Sequence, residues 1–252
     1  MKHDHRHKAR LVIGGHVTDA EYFDRYASTV RLEHVRLQIF LLALHKAEMI
    51  GGDIGSAYLN AYTKEKIWSV LGKEFGEDKE GFIVRIIKAL YGLKTSANAW
   101  YLHLCESLLE MGFKQSKIDN ALWYRLRDDE SGYDYFTHHV DDFLITGEKV
   151  MKWIEFLEKS YTITGKEIPK IHLGMDIRKL GESSWELGSQ TYIKEILPKV
   201  REIIDTKILK VRPCPTVDTF HPKIDATKLV NSKQINDYQK LMGMAQWLNS
   251  IG

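Results

Sequence analysis

Leu32, Val35, Ile39, Leu42 and Ala43 recur at spacings of three and four, which predicts a helix over roughly 30–46. The run 47–54 then reads as a strand carrying Asp53, and 82–87 as a second. Trp100, Leu104, Leu108 and Met111 share one face of a helix expected over 97–111, with Gly112 as its C-terminal stop. Strands are expected at 121–126, 133–140 and 143–146. The last two form a hairpin with Asp141 and Asp142 at its tip. Trp153, Ile154 and Leu157 place a helix over 150–160, and 171–179 with 184–187 reads as a later β-pair. A short strand is expected at 10–13. From Tyr192 the pattern is helical, broken around Pro213 to Pro222. Strands and helices mixed in this way indicate an α+β fold, helices packed on an antiparallel sheet. A composition shift near 190 sets off residues 191–252 as a smaller C-terminal part.

Composition changes this picture little. The 252 residues are 44% apolar and 28% charged, ordinary for a globular chain long enough to bury a core unaided. Lys plus Arg number 36 and Asp plus Glu 34, a formal charge of +2, which neither demands nor excludes a nucleic-acid partner. Cys105 and Cys214 form no CxxC or zinc set and read as structural thiols of a reducing compartment. The polar N-terminus has no signal-peptide core, and the longest apolar run, 39–44, is too short to span a membrane. An intracellular, soluble protein is expected.

Two features carry candidate chemistry: Asp53 at the end of its strand, and the Asp141-Asp142 pair. Adjacent carboxylates repel, and a divalent cation relieves the repulsion. Mg²⁺ prefers oxygen ligands, usually one or two carboxylates completed by substrate phosphates. Two such ions clamp the attacking and leaving oxygens of a phosphoryl transfer. An Asp-Asp pair is equally the mark of a solvated turn, since Asp favours turns. Asp128-Asp129 is read as such a loop. His3, His5, His7 and the His138-His139 pair are read as a polar tail and strand residues rather than metal ligands.

The surrounding residues carry more information. Lys8-Ala9-Arg10-Leu11-Val12 comes first, then Asp53-Ile54-Gly55-Ser56-Ala57-Tyr58-Leu59-Asn60. The most distinctive block is Lys88-Ala89-Leu90-Tyr91-Gly92-Leu93-Lys94-Thr95-Ser96, followed by Trp100. Next come Gly112-Phe113-Lys114-Gln115-Ser116-Lys117-Ile118-Asp119 and His139-Val140-Asp141-Asp142. Leu173-Gly174-Met175-Asp176-Ile177 and Tyr238-Gln239-Lys240-Leu241-Met242-Gly243 close the series. In this order and spacing the seven blocks resemble the reverse transcriptase domain of copia-type (pseudoviral) retrotransposons, from Lys8 to Gly252.

The resemblance implies a right-hand polymerase core. Fingers (roughly 1–48 and 61–98) would interleave with palm up to 190, with a partial thumb over 191–252. It implies RNA-directed DNA polymerase activity, by two-metal nucleotidyl transfer with Mg²⁺ or Mn²⁺. The partners would be an RNA template, a DNA primer and deoxynucleoside triphosphates, in a cytoplasmic, particle-associated setting. Asp53 and Asp141 would hold the ions, with Asp142 assisting. Tyr58 would be the gate beside the sugar; read without the resemblance it is a core aromatic. Lys8 and Arg10 would meet the triphosphate, or simply lie on an exposed basic strand. Tyr91 and Gly92 would line the nucleotide pocket. Lys94, His139, Leu173 and Gly174 would face template and primer. Lys88, Lys114 and Lys117 are further phosphate candidates, and Lys166 a candidate proton donor to pyrophosphate.

The chain also departs from the family pattern. His139 stands where the family has Tyr, Ala97 where Pro is frequent, and Thr137 and His138 where apolar residues are usual. Unpaired polar groups in a buried strand would cost a few kcal/mol. Upstream fingers, protease, integrase and RNase H parts are not in this sequence, which implies a fragment of an element. Two alternatives stay open: a catalytically inactive remnant that folds and at most binds nucleic acid, and a generic metal-dependent phosphotransferase or nuclease.

Overall fold

A computed structural model describes residues 11–15, 24–204 and 230–252. The chain packs as two compact units, Met1–Pro169 and Lys170–Gly252. The division precedes the composition shift near 190, because the hairpin region after Lys170 packs with the helix that follows it. Among the described residues no helix is long and apolar enough to cross a membrane.

The first unit holds helices α1 (Leu32–Leu44), α2 (Ala57–Asn60), α3 (Ser96–Glu110) and α4 (Val150–Glu158). Its strands are β1 (Glu48–Ile54), β2 (Tyr62–Val70), β3 (Ile83–Lys88), β4 (Lys114–Gln115), β5 (Leu122–Leu126), β6 (Tyr133–His139), β7 (Asp142–Gly147) and β8 (Ile163–Glu167). Six form one sheet in the order β4-β5-β6-β7-β1-β8, and β2 pairs with β3 alone. Every pairing in the large sheet is antiparallel. The strand expected at 10–13 is reduced, in its described part, to one bridge between Val12 and Tyr91.

Side chains alternate between the sheet's faces. Phe136, Phe143 and Ile145 point to one face and pack with Trp100, Leu104 and Leu108 of α3 and Trp153, Ile154 and Leu157 of α4. Phe136 stacks on Phe143 at 5.3 Å, and Phe113 meets Trp153 edge-on at 5.3 Å. α3 ends where Gly112 predicts. Gly112 has φ +81°, its N–H bonds the Leu109 carbonyl and the Phe113 N–H bonds that of Leu108. This is a Schellman closure. α1 stops the same way two residues early, at Lys46 (φ +51°), without a glycine to announce it.

α1 covers part of the opposite face. Thr137 is satisfied: its hydroxyl donates to Gln38 Oε1 at 2.7 Å. The Gln38 amide donates to the Leu144 carbonyl at 3.1 Å and to Thr146 Oγ1 at 3.3 Å. Asp119 ties the helix entry to the sheet, accepting from the Arg31 N–H, His34 Nδ1 (2.6 Å) and the Ala121 N–H. Burial alone would push the Asp119 carboxyl up, but the bonds from Ala121, His34 and Arg31 outweigh it and hold the group below the ordinary range. Unfolded, it titrates near ~3.9. Its contribution is therefore present above that pH and lost as pH falls through the lower folded value. Urea stability of the wild type should fall more steeply below about pH 4 than that of Asp119→Asn; superimposable profiles would refute this.

The second unit holds β9 (Ile171–His172), β10 (Met175–Lys179), β11 (Trp185–Gly188), α5 (Gln190–Ile203) and α6 (Ser232–Ile251), its strands ordered β11-β10-β9. Asp176 caps α5 by accepting from the Thr191 N–H at 2.9 Å. An Asn231–Gln234 capping box opens α6. The break expected around Pro213 to Pro222 lies outside the described residues, as does Cys214.

Candidate active site

The register across β6, β7 and β1 sets His139 opposite Asp142 and Asp142 opposite Asp53. Alternation puts all three on the face turned away from α3 and α4, at one end of the sheet. Gly52 makes this row possible. A Cβ there would stand 2.6 Å from the Phe143 ring, so only glycine lets β1 lie against β7 at that level.

Val140 and Asp141 form the turn between β6 and β7. Val140 has φ +60°, a costly conformation for a β-branched residue, which persists only where surroundings impose it. Two bonds do so. Trp100 Nε1 donates to the Val140 carbonyl at 2.7 Å, and the Ile54 N–H donates to the Asp141 carbonyl at 2.8 Å. The tip carrying Asp141 is thereby fixed to α3 and to the end of the strand carrying Asp53.

The Asp142 carboxyl is pushed up by the protein crowded around it and by the charges of Asp141 and Asp53, against a smaller opposing pull from His139. The three acids thus stand within electrostatic reach of one another. Among the described residues no three His, Cys, Asp or Glu side chains converge into a ready-made metal cage. Mg²⁺ does not require one, since one or two carboxylates plus substrate phosphates are its usual shell. A row of mutually repelling carboxylates fits that requirement. Without divalent ions, Asp142→Asn should raise the melting temperature by removing a like charge. Millimolar Mg²⁺ should raise that of the wild type and leave Asp53→Asn/Asp142→Asn unmoved. Equal shifts in both proteins would place the ion elsewhere.

Tyr58 lies on the single turn of α2 directly after β1, half-buried, its ring 4.8 Å from that of Tyr91. Burial, then Tyr91 and Asp141, push its hydroxyl pKa up. Tyr58, Tyr91 and Asp141 are therefore brought together. Gly92 has φ +94°, and the close approach it permits is to the chain itself: a Cβ would run into the Ile13 carbonyl oxygen. Lys94 is half-buried just before α3. Lys88 Nζ donates to the Asn60 carbonyl and lies over the Tyr62 ring at 3.7 Å. Lys114 and Lys117 are exposed. Lys166 pairs with Glu158 at 2.8 Å. Leu173 (φ +50°) and Gly174 (φ +79°) form the β9–β10 turn of the second unit, Gly174 lying against Trp247. Lys8 and Arg10 lie outside the described residues.

Sequence reasoning missed the clamp made by Trp100, which periodicity assigns only to packing. The cost expected for polar residues in the buried strand β6 falls on His138, which burial drives down to about pKa 4, opposed by Asp119 and helped by His139. Its ring lies 5.8 Å from Tyr101, and its Nε2 has no hydrogen-bond partner among the described residues.

Comparison with known proteins identifies the family. A family model described as reverse transcriptase (RNA-dependent DNA polymerase) matches residues 1–211. The chain is 23% identical over 249 residues to the retrovirus-related Pol polyprotein from transposon RE1 of Arabidopsis thaliana, covering 96% of this chain and 16% of that protein. It is 26% identical over 274 residues to the transposon Ty1-NL2 Gag-Pol polyprotein of Saccharomyces cerevisiae, covering 98% of this chain and 14% of that protein. The chain thus spans about a sixth of these relatives' lengths or less. Family match and relatives together make this chain a member of the reverse transcriptase (RNA-dependent DNA polymerase) family, a copia-type retrotransposon reverse transcriptase domain.

Proposed function

We propose that the chain extends a DNA primer on an RNA or DNA template, using deoxynucleoside triphosphates. The observation that carries this reading is the His139–Asp142–Asp53 row with Asp141 clamped at its end and Tyr58 and Tyr91 beside it. The family generally uses divalent metals, and Asp53 and Asp141 would hold them here with Asp142 assisting. When bound, Mg²⁺ or Mn²⁺ would neutralise charge on the attacking and leaving oxygens of the phosphoryl transfer. The protein's own part is placement. The clamped turn holds Asp141, the strand pairing holds Asp53 beside Asp142, and the Tyr58–Tyr91 ring pair forms a wall for the sugar and base. Lys8 and Arg10 are assigned to the triphosphate, Lys94 and His139 to template and primer, and Leu173 and Gly174 to the primer strand. Fingers and palm would occupy residues 1–190 and a partial thumb residues 191–252. The setting would be a cytoplasmic particle.

Purified protein should incorporate dTTP on poly(rA)–oligo(dT) with Mg²⁺ or Mn²⁺ and reject UTP. Tyr58→Ala should raise UTP use by about a hundredfold relative to dTTP, a difference of roughly 3 kcal/mol for removing a steric bar to the 2′-OH. Unchanged discrimination would return Tyr58 to a packing role.

A second reading has its own observation: the isolated, buried His138 lies in the strand that leads to the acids. A remnant would bind duplex without incorporating nucleotides, and Asp141→Asn would leave that binding unchanged. His139→Tyr would then test whether that one departure is to blame.

A further inference from the structure

Glu65 lies in the middle of β2, is 3% exposed, and is the one acid buried at the junction of β2 with α3 among the described residues. Its Oε1 accepts from the hydroxyl of Thr95, the N-cap of α3, itself 4% exposed. Oε2 has no hydrogen-bond partner among the described residues. Stability does not call for such a group. A buried carboxylate is costly, and an apolar side chain of similar volume usually serves as well or better. What it does provide is a fixed acceptor beside the positive end of a 15-residue helix, where a negative charge is favoured.

Thr95 ends the loop that carries Tyr91 and Gly92. The other end is held by Ser96, whose hydroxyl donates to the Leu90 carbonyl at 2.6 Å, and the middle by the Ile13 N–H on the Tyr91 carbonyl at 2.8 Å. Thr95 makes no side-chain cap to its own helix, because its hydroxyl is turned to Glu65. We infer that Glu65 is a positioning residue for the nucleotide pocket. Acting through Thr95, it sets the 90–96 loop so that the Tyr91 ring stands against Tyr58. This rests on the polymerase reading.

The test is Glu65→Leu, which keeps volume and removes the acceptor. With the Thr95 hydroxyl freed to cap its own helix, the melting temperature should stay near that of the wild type while KM for dTTP rises about tenfold and kcat stays within about twofold. Thr95→Val should raise KM likewise, but at a lower melting temperature because it strands the buried carboxylate, and the KM of the double variant should be no worse than that of either single. Glu65→Gln, which keeps an acceptor for Thr95, should restore KM. A wild-type KM in Glu65→Leu, or a loss of kcat alone, overturns the inference. Hydrogen exchange at amides 90–96 separates its failure from that of the polymerase reading. Exchange should quicken in Glu65→Leu and not in Glu65→Gln, whether or not any protein incorporates nucleotide. Unchanged exchange overturns the inference even in an active enzyme.

Discussion

Asp141→Asn should fold as the wild type does and lose about a thousandfold in nucleotide incorporation, roughly 4 kcal/mol of transition-state stabilisation. The turn does not depend on the carboxylate, because it is the Asp141 backbone carbonyl that accepts from Ile54 and the Val140 carbonyl that accepts from Trp100. Asparagine therefore preserves the tip and removes only the charge. Asp53→Asn should match it, since strand pairing sets Asp53 opposite Asp142 beside that tip. Asp129→Asn is the control: that acid accepts from the Ser131 N–H in the exposed β5–β6 turn, at the other end of β6. Activity in Asp141→Asn above a tenth of the wild-type level would sink the assignment of the three acids.

Asp134→Ala should be the most damaging substitution for stability. Asp134 is 4% exposed and serves three donors. Oδ1 accepts from Arg127 Nε at 3.0 Å and from the Glu148 N–H at 3.4 Å, and Oδ2 from the Trp153 indole at 3.0 Å. Breaking such a pair from one side leaves a guanidinium and an indole N–H without their acceptor. That costs about 3–5 kcal/mol, against a total stability of about 5–15 kcal/mol. Arg127→Met/Asp134→Leu, which removes both charges, should recover part of the loss. Urea unfolding reads both, and a cost under about 1 kcal/mol for Asp134→Ala would mean that water replaces the carboxylate.

These two sites differ in how visible they were beforehand. The roles proposed for Asp53, Asp141 and Asp142 come from the resemblance, whereas the β6–β7 hairpin with its carboxylate pair was visible as a local pattern. The helices on the core face were legible for the same reason: Trp100, Leu104 and Leu108 repeat at helical spacing and are buried together. β2 was missed because its alternation is inverted, with Trp68 and Val70 outward and Glu65 inward. β8 was missed because all but Ile163 of this edge strand is exposed, with Gly165 at φ +91°. The expected penalty at Thr137 proved absent, because its partner Gln38 lies 99 residues away, where no window of sequence reaches. Gln38 itself looks like a flaw in an apolar helix until the fold supplies Thr146 and Leu144. His138 is the converse case, polar and buried with no such partner for its Nε2 among the described residues.

The segment from Leu11 to Gly15 touches the Tyr91–Gly92 turn chiefly through main chain. The Ile13 N–H bonds the Tyr91 carbonyl, and Gly15 and Gly92 each press against a carbonyl of the other strand. Leu11 and Val12 meanwhile point their side chains largely into solvent. Such a contact is almost indifferent to side-chain identity but wholly intolerant of added bulk at its two glycines. Saturation mutagenesis across the segment should therefore return a sharply uneven tolerance map. Positions 11 and 12 would accept most residues, while 15 and 92 would admit glycine alone, although none of the four carries a chemical group.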